Sequence, residues 1–240
     1  MRTVVVIQAR IGSSRLRGKV LADIGGRPMI AHVIERASRI EGITDVVVAI
    51  PDLTEDDSLA SAVRSLGAPV VRGSSDDVLD RYLTAVDATD ADVVVRVTAD
   101  CPFLSPRVSS SVVAAYAQGD ADYASNTLER SYPRGLDTEV VSAEALRIAG
   151  REATDPAERE HVTPFVWRRP ERFALRSVRA ATDRSALRWT VDVEEDLALV
   201  RAIHEELEGE AFEVEDILEV IERRPELATR NADVAQKSVD

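Results

Sequence analysis

Short runs of β-branched and aliphatic residues alternate along the chain with longer stretches whose apolar positions recur every three or four residues. This is the pattern of parallel strands joined by helical crossovers. Residues 3–7, 45–50, 69–72 and 92–98 are predicted strands. Met29, Ile30, Val33, Ile34, Ala37 and Ile40 form a helical stripe opened by Pro28, and residues 55–66 form a second helix that Gly67 ends. Ser75, Asp76 and Asp77 precede Val78, Leu79, Tyr82, Leu83 and Val86, an N-cap with acids in the first turn and a buried stripe behind it, which predicts a third helix. Residues 93–97 are almost continuously apolar, so that strand is expected to be central and covered on both faces. Its carboxyl end, Thr98-Ala99-Asp100, is where an open α/β sheet puts its chemistry.

After about residue 120 the alternation weakens into shorter strands, 122–125, 138–142 and 172–178, around a turn at 132–135. Residues 187–192 read as a return strand, and 194–207 and 214–221 as closing helices. One domain is expected over residues 1–226, with 120–180 as a smaller, partly antiparallel elaboration. From Asn231 no periodicity remains, so 227–240 is expected to be a flexible C-terminal tail.

The 240 residues suffice for one generous α/β domain, and 4% aromatic content means a core of Val, Leu, Ile and Ala. Broad aromatic platforms for nucleic acid are excluded. The net charge of −13, with 14 acids against Arg201, Arg223 and Arg224 over residues 192–226, also argues against a nucleic-acid partner. A lone cysteine, Cys101, precludes an internal disulfide and, with three histidines, a structural zinc cage; it suits a cytoplasmic setting and reads as a small buried residue. The first apolar run, Val4 to Ile7, is too short for a signal segment or a membrane span, so no membrane association is expected.

Against that acidic background, residues 1–22 carry Arg2, Arg10, Arg15, Arg17 and Lys19 and no acid. The segment Gln8-Ala9-Arg10-Ile11-Gly12-Ser13-Ser14-Arg15-Leu16-Arg17-Gly18-Lys19 follows the first strand directly. Its glycines and serines let the backbone turn and offer N–H donors, its arginines supply forked donors and Lys19 a point charge, all suited to a polyphosphate. It is neither a Walker A loop nor the GxGxxG dinucleotide fingerprint, which sets aside a nicotinamide-binding domain.

These residues, with Arg72-Gly73-Ser74, Asp77-Val78-Leu79-Asp80-Arg81-Tyr82, Arg96-Val97-Thr98-Ala99-Asp100-Cys101-Pro102, Tyr132-Pro133-Arg134-Gly135-Leu136-Asp137, Arg159-Glu160-His161-Val162-Thr163-Pro164 and Arg188-Trp189-Thr190-Val191-Asp192, resemble the cytidylyltransferases that activate acidic sugars. These include the CMP-N-acetylneuraminate and CMP-Kdo synthetases, and the resemblance is strongest to the SpsF-like spore-coat polysaccharide branch. It covers about residues 3–225. Arg17 stands where relatives often carry proline.

The resemblance implies a Rossmann-like, three-layer α/β/α nucleotidyltransferase fold of the GT-A-like kind, and transfer of CMP from CTP to an acidic sugar with loss of pyrophosphate. It implies that Arg10, Arg15 and Lys19 bind the β- and γ-phosphates together with Gly12 and Ser13. Gln8 and Ala9 would contact the base, with Asp77 and Thr98 near the nucleotide. Lys19, Arg10 and Asp100 are the expected catalytic residues, and Asp100 and Asp192 the ligands of Mg²⁺, which takes one or two carboxylates plus phosphate oxygens. Arg134, Asp137, Glu139, Arg159, Glu160 and His161 are the expected acceptor-binding residues, and a homodimer formed through 120–180 is the family expectation. Another NTP, a sugar phosphate or phosphonate acceptor, or a non-catalytic nucleotide-binding subunit are the alternatives. The last predicts loss of Lys19, Asp100 or Asp192, all of which are present.

Overall fold

The computed structural model describes residues 1–207, 209 and 211–236. Its elements in chain order are β1 (Thr3–Gln8), β2 (Asp23–Ile24), β3 (Arg27–Pro28), α1 (Met29–Ala37), β4 (Asp45–Pro51), α2 (Asp57–Ser65), β5 (Val70–Gly73), α3 (Val78–Thr89), β6 (Val93–Thr98) and α4 (Pro106–Ala117). They continue with β7 (Tyr123–Ser125), β8 (Glu139–Ser142), α5 (Ala143–Glu152), α6 (Pro156–His161), α7 (Pro164–Trp167), β9 (Leu175–Ser177), α8 (Glu194–His204) and α9 (Val214–Arg223).

Seven strands form one sheet in the order β5-β4-β1-β6-β8-β7-β9. The first four are parallel, and β8 runs antiparallel to both β6 and β7. Val4, Val5, Val6 and Ile7 are all fully buried, because alternate residues of β1 feed two different cores. Val5 and Ile7 pack toward α1, α2 and α4, whereas Val4 and Val6 pack toward α3, α5 and α7. The result is a three-layer α/β/α fold with a mostly parallel sheet. A third core, built on Trp189, Val191 and the inner faces of α8 and α9, closes one end. No described helix is long and apolar enough to cross a membrane.

The chain leaves β1 toward β4 and β5, then returns through α3 to β6 on the other side of β1. The crossovers therefore diverge between β1 and β6, and the crevice outside their carboxyl ends lies at this switch point. Gln8 and Thr98 are register partners at that rim.

Three expectations need correction. Residues 187–192 are not a strand: the alternation is real, with Trp189 and Val191 buried, but apart from one bridge between Arg134 and Arg188 the segment has no ladder partner. It crosses the sheet end instead, where Val191 N donates to Asp100 O at 2.8 Å. The elaboration after residue 120 is helical as well as stranded, because Ser142 and Asp155 cap α5 and α6. The tail is anchored at its start, where Leu227 is fully buried and Asn231 is 4% exposed, while residues 232–236 are mostly exposed and 237–240 lie outside the described residues.

Candidate active site

The loop after β1 is held by its own backbone and by one buried acid. Ile11 N donates to Asp56 Oδ1 at 2.7 Å, and Gly18 N returns to Ile11 O at 3.0 Å. Gly18 sits at φ 73°, a left-handed conformation that suits glycine, and turns the chain so that Lys19 points inward rather than to solvent. Burial raises the pKa of the Asp56 carboxyl, and the Ile11 amide opposes the shift.

Lys19 is 8% exposed and places all three ammonium protons: Asp100 Oδ2 at 2.8 Å, Asp192 Oδ1 at 2.9 Å and Val191 O at 2.7 Å. Burial by itself would lower the Lys19 pKa; the two carboxylates outweigh it and hold the pKa above the ordinary lysine value. Asp192 also accepts from Arg15 at 2.9 Å and Arg188 at 2.8 Å, both through Oδ2. Burial pushes its carboxyl up, but these cations, Lys19 foremost, bring it below the usual carboxylate range. Asp196, not Asp192, caps α8, accepting from the amides of Asp192 at 2.8 Å and Val193 at 3.2 Å, which leaves Asp192 facing the crevice. Asp100 is fixed by Thr98, whose Oγ1 donates to Oδ1 at 2.6 Å.

The turn before β8 presents Arg134 and Asp137 to the same cavity. Gly135 stands at φ 103°, and a Cβ there would lie 2.6 Å from Thr190 N, so only glycine lets this turn touch the crossing segment. The buried amide of Asn126 fixes the turn, donating to Leu136 O at 2.7 Å and accepting from Thr138 N at 2.9 Å. His161 ends α6, and the next residue, Val162, is forced to φ 74° and ψ −55° while Thr163 N donates to His161 O at 2.9 Å. A β-branched residue in so tight a turn stores strain of about 1–3 kcal/mol. The turn aims His161 at the crevice and Thr163 Oγ1 at Glu139. Burial lowers the His161 pKa, opposed by Glu160 and reinforced by Arg96, so the imidazole is neutral at pH 7.

These groups enclose a cavity of about 350 Å³ lined by Arg10, Arg15, Lys19, Arg96 and Arg134 together with Asp100, Asp137, Glu160 and Asp192. Five cations thus gather beside four carboxylates in one crevice of a chain with net charge −13. A larger groove of about 670 Å³ lies between α1 and residues 66–69, at the amino end of β4 and away from the switch point; it gathers no comparable charge.

The model of the family described as Cytidylyltransferase matches residues 4–223. The chain belongs to the cytidylyltransferase family. The spore coat polysaccharide biosynthesis protein SpsF of Bacillus subtilis is 31% identical over 238 residues, covering 95% of this chain and 98% of that protein. A cytidylyltransferase from Leptospira borgpetersenii superposes with a TM-score of 0.92 at 28% identity, covering 99% of this chain and 100% of the other. A CMP:2-keto-3-deoxy-manno-octonic acid synthetase complexed with CTP superposes with a TM-score of 0.68 at 25% identity, over 86% of this chain and 100% of the other.

This cytidylyltransferase is thus a CTP-dependent nucleotidyltransferase, and its cavity gathers Gln8, Ala9, Arg10, Ser13, Arg15, Lys19, Thr98, Asp100, Arg134, Asp137, Glu160, His161 and Asp192 of the residues singled out from sequence. Four others do not line it. Gly12 packs against Glu55, where a Cβ would be 3.0 Å from Oε1. Asp77 caps α3, accepting from Asp80 N at 3.0 Å, and pairs with Arg159. Arg159 also reaches Ala153 O at 3.0 Å, so this pair ties α3 to α5 and α6. Glu139 is 7% exposed and accepts from Arg96, Tyr123 and Thr163.

Sequence reasoning missed Arg96, Thr190 and Gln236 of the cytidylyltransferase cavity, and the buried supports Asp56 and Asn126. Arg96 carried a legible signal, a charge inside an otherwise apolar central strand; the others carried none.

Proposed function

We propose that this cytidylyltransferase transfers CMP from CTP to an acidic sugar, releasing pyrophosphate, with Mg²⁺ held by Asp100 and Asp192, in the assembly of a surface polysaccharide or glycoconjugate. The observation that carries this reading is the distribution of cations about the aspartate pair. Arg15 and Lys19, from the loop after β1, are paired with the aspartates, whereas Arg134, from the turn before β8, lines the same cavity with no ion pair among the described residues. An uncommitted arginine on a different element suits an acceptor carboxylate. The names of two relatives agree: one takes part in spore coat polysaccharide biosynthesis, the other makes the CMP derivative of a keto sugar acid.

The aspartate pair fits a divalent cation. One ammonium nitrogen already lies within 3 Å of an oxygen from each carboxylate, so both reach a common cation, and hard oxygen donors are what Mg²⁺ takes. The described residues include no cluster of three or more His, Cys, Asp or Glu side chains able to hold a metal, so phosphate oxygens and water would supply the other ligands. When bound, Mg²⁺ neutralises charge on the phosphates.

Arg10, also without an ion pair among the described residues, and the loop around Ser13 bind the β- and γ-phosphates. Lys19 and Arg15 offset charge as pyrophosphate departs. The acceptor hydroxyl attacks the α-phosphorus as the α–β bridging P–O bond breaks, its proton passing to water and pyrophosphate leaving, and no protein nucleophile is needed. Neutral His161 accepts a hydrogen bond from the acceptor and orients it. Gln8 and Ala9, at the rim of β1, face the base.

Thermal unfolding with Mg²⁺ and each of CTP, GTP, UTP and ATP tests the nucleotide side. A ligand specific to the folded state adds about 2.7 kcal/mol at a hundredfold excess over its Kd. A shift with CTP alone is expected; a shift with another nucleotide and none with CTP would overturn the reading.

A further inference from the structure

Asp192 is held from behind by a part of the chain that its sequence marks as a tail. Leu227 anchors that segment in the third core. Four residues on, the Asn231 side chain, 4% exposed, donates from Nδ2 to Arg188 O at 3.0 Å and to Asp196 Oδ1 at 2.8 Å. Asp196 is fully buried and also accepts from Arg188 Nε at 2.9 Å and Nη2 at 3.0 Å. That same Nη2 donates to Asp192 Oδ2 at 2.8 Å. Gln236 accepts from the remaining Nη1 and reaches the cavity wall.

The arginine is therefore shared between a carboxylate that faces the cavity and one that does not, and the sharing fixes how Asp192 is turned. While Asn231 and Asp196 hold the guanidinium back, one N–H reaches Asp192 and takes Oδ2, leaving Oδ1 toward Asp100 and Lys19. Without the amide, Asp196 Oδ1 loses one of its two donors and the carbonyl of Arg188 loses its partner. Asp196 and Gln236 still hold the guanidinium, but with Asp196 and the Arg188 backbone less firmly fixed the balance shifts toward Asp192.

We propose that Asn231 is a positioning residue for Asp192, so that the segment after α9 belongs to the active site rather than to a tail. This rests on the reading of Asp192 as a metal carboxylate. Groups supporting a metal ligand from behind contribute about 10–100-fold in metal affinity.

The test uses the full chain and compares wild type with Asn231→Leu, which keeps the volume and removes the donors, and Asn231→Ser, which keeps one donor on a shorter stem. CTP affinity is measured by calorimetry in EDTA and in Mn²⁺. The metal-free affinity reports on the loop after β1 and should stay within about twofold, whereas the gain conferred by Mn²⁺ should fall about tenfold for leucine and less for serine. An unchanged Mn²⁺ gain in both variants overturns the positioning role alone. So does an equal fall in metal-free and metal-bound affinity, the signature of a merely structural residue. A wild-type protein whose CTP affinity gains nothing from Mn²⁺ overturns the metal reading, and this proposal with it.

Discussion

Lys19 Nζ stands 2.9 Å from Asp192 Oδ1 across a sequence separation of 173 residues. The contact exists because the segment before α8 crosses the carboxyl end of β6 and bonds to Asp100 O through both Val191 N, at 2.8 Å, and Thr190 Oγ1, at 3.2 Å. Lys19 and Asp192 are thus built as one cluster with Asp100, and removing one member is expected to expose the roles of the others.

Lys19→Met keeps the aliphatic stem and removes the charge. Loss of one preorganised donor to developing negative charge costs about 10²–10³-fold in turnover. Pyrophosphate release from CTP should fall by that much, with a weaker effect on acceptor KM. Equal loss of nucleotide and acceptor affinity, or loss of neither, would contradict the phosphate role.

Asp100→Asn preserves shape and the acceptor for Thr98. Its side chain is 25% exposed at the crevice, so stability should change little and the melting temperature stay within a few degrees, while turnover becomes undetectable at ordinary Mg²⁺. Near-normal release would remove Asp100 from the mechanism.

Gly135→Ala places a Cβ 2.6 Å from Thr190 N and 2.7 Å from the carbonyl carbon of Trp189, at a φ that alanine avoids. Both contacts are backbone, so the segment carrying Asp192 must move. Urea unfolding should show a loss of more than about 1 kcal/mol, accompanied by weaker Mn²⁺ binding. A neutral substitution would mean that the turn and the crossing segment are not in contact.

The pKa of His161 is depressed by burial from its ordinary value, with Glu160 opposing and Arg96 reinforcing the shift. The unfolded chain therefore binds a proton more readily than the folded one between the folded pKa and about 6.5, so stability rises with pH through that window. Its contribution is complete above about pH 6.5 and is lost as pH falls through the folded pKa. His161→Gln should flatten this part of the stability profile, measured by urea titration from pH 5 to 7.5; an unchanged slope would show that another group carries it.

The strands were legible because Val4 to Ile7 and, Arg96 apart, Val93 to Val97 feed two apolar cores at once. The loop after β1 was legible because its charge opposes that of the rest of the chain. What escaped was supplied by long-range partners. The alternation of Trp189 and Val191 around Thr190 and Asp192 is strand-like, yet a segment without a ladder partner on either side is no strand. Asn231 lies in a run with no periodicity, since one buried amide on two distant partners leaves no repeating pattern. Pro106–Ala117 escaped because Ser109, Ser110 and Ser111 interrupt its apolar stripe, although Ser105 caps it in the ordinary way.

Cytidylyl transfer to an acidic sugar at the crevice between β1 and β6 is checked by pyrophosphate release from CTP and Mg²⁺ against parallel panels of keto sugar acids and sugar 1-phosphates, with Arg134→Ala as the acceptor-side control. Release is expected with at least one sugar acid and with none of the sugar 1-phosphates, and Arg134→Ala should raise acceptor KM about tenfold or more while leaving CTP KM within twofold. Release with sugar 1-phosphates alone, or an Arg134→Ala variant with unaltered acceptor KM, would contradict it.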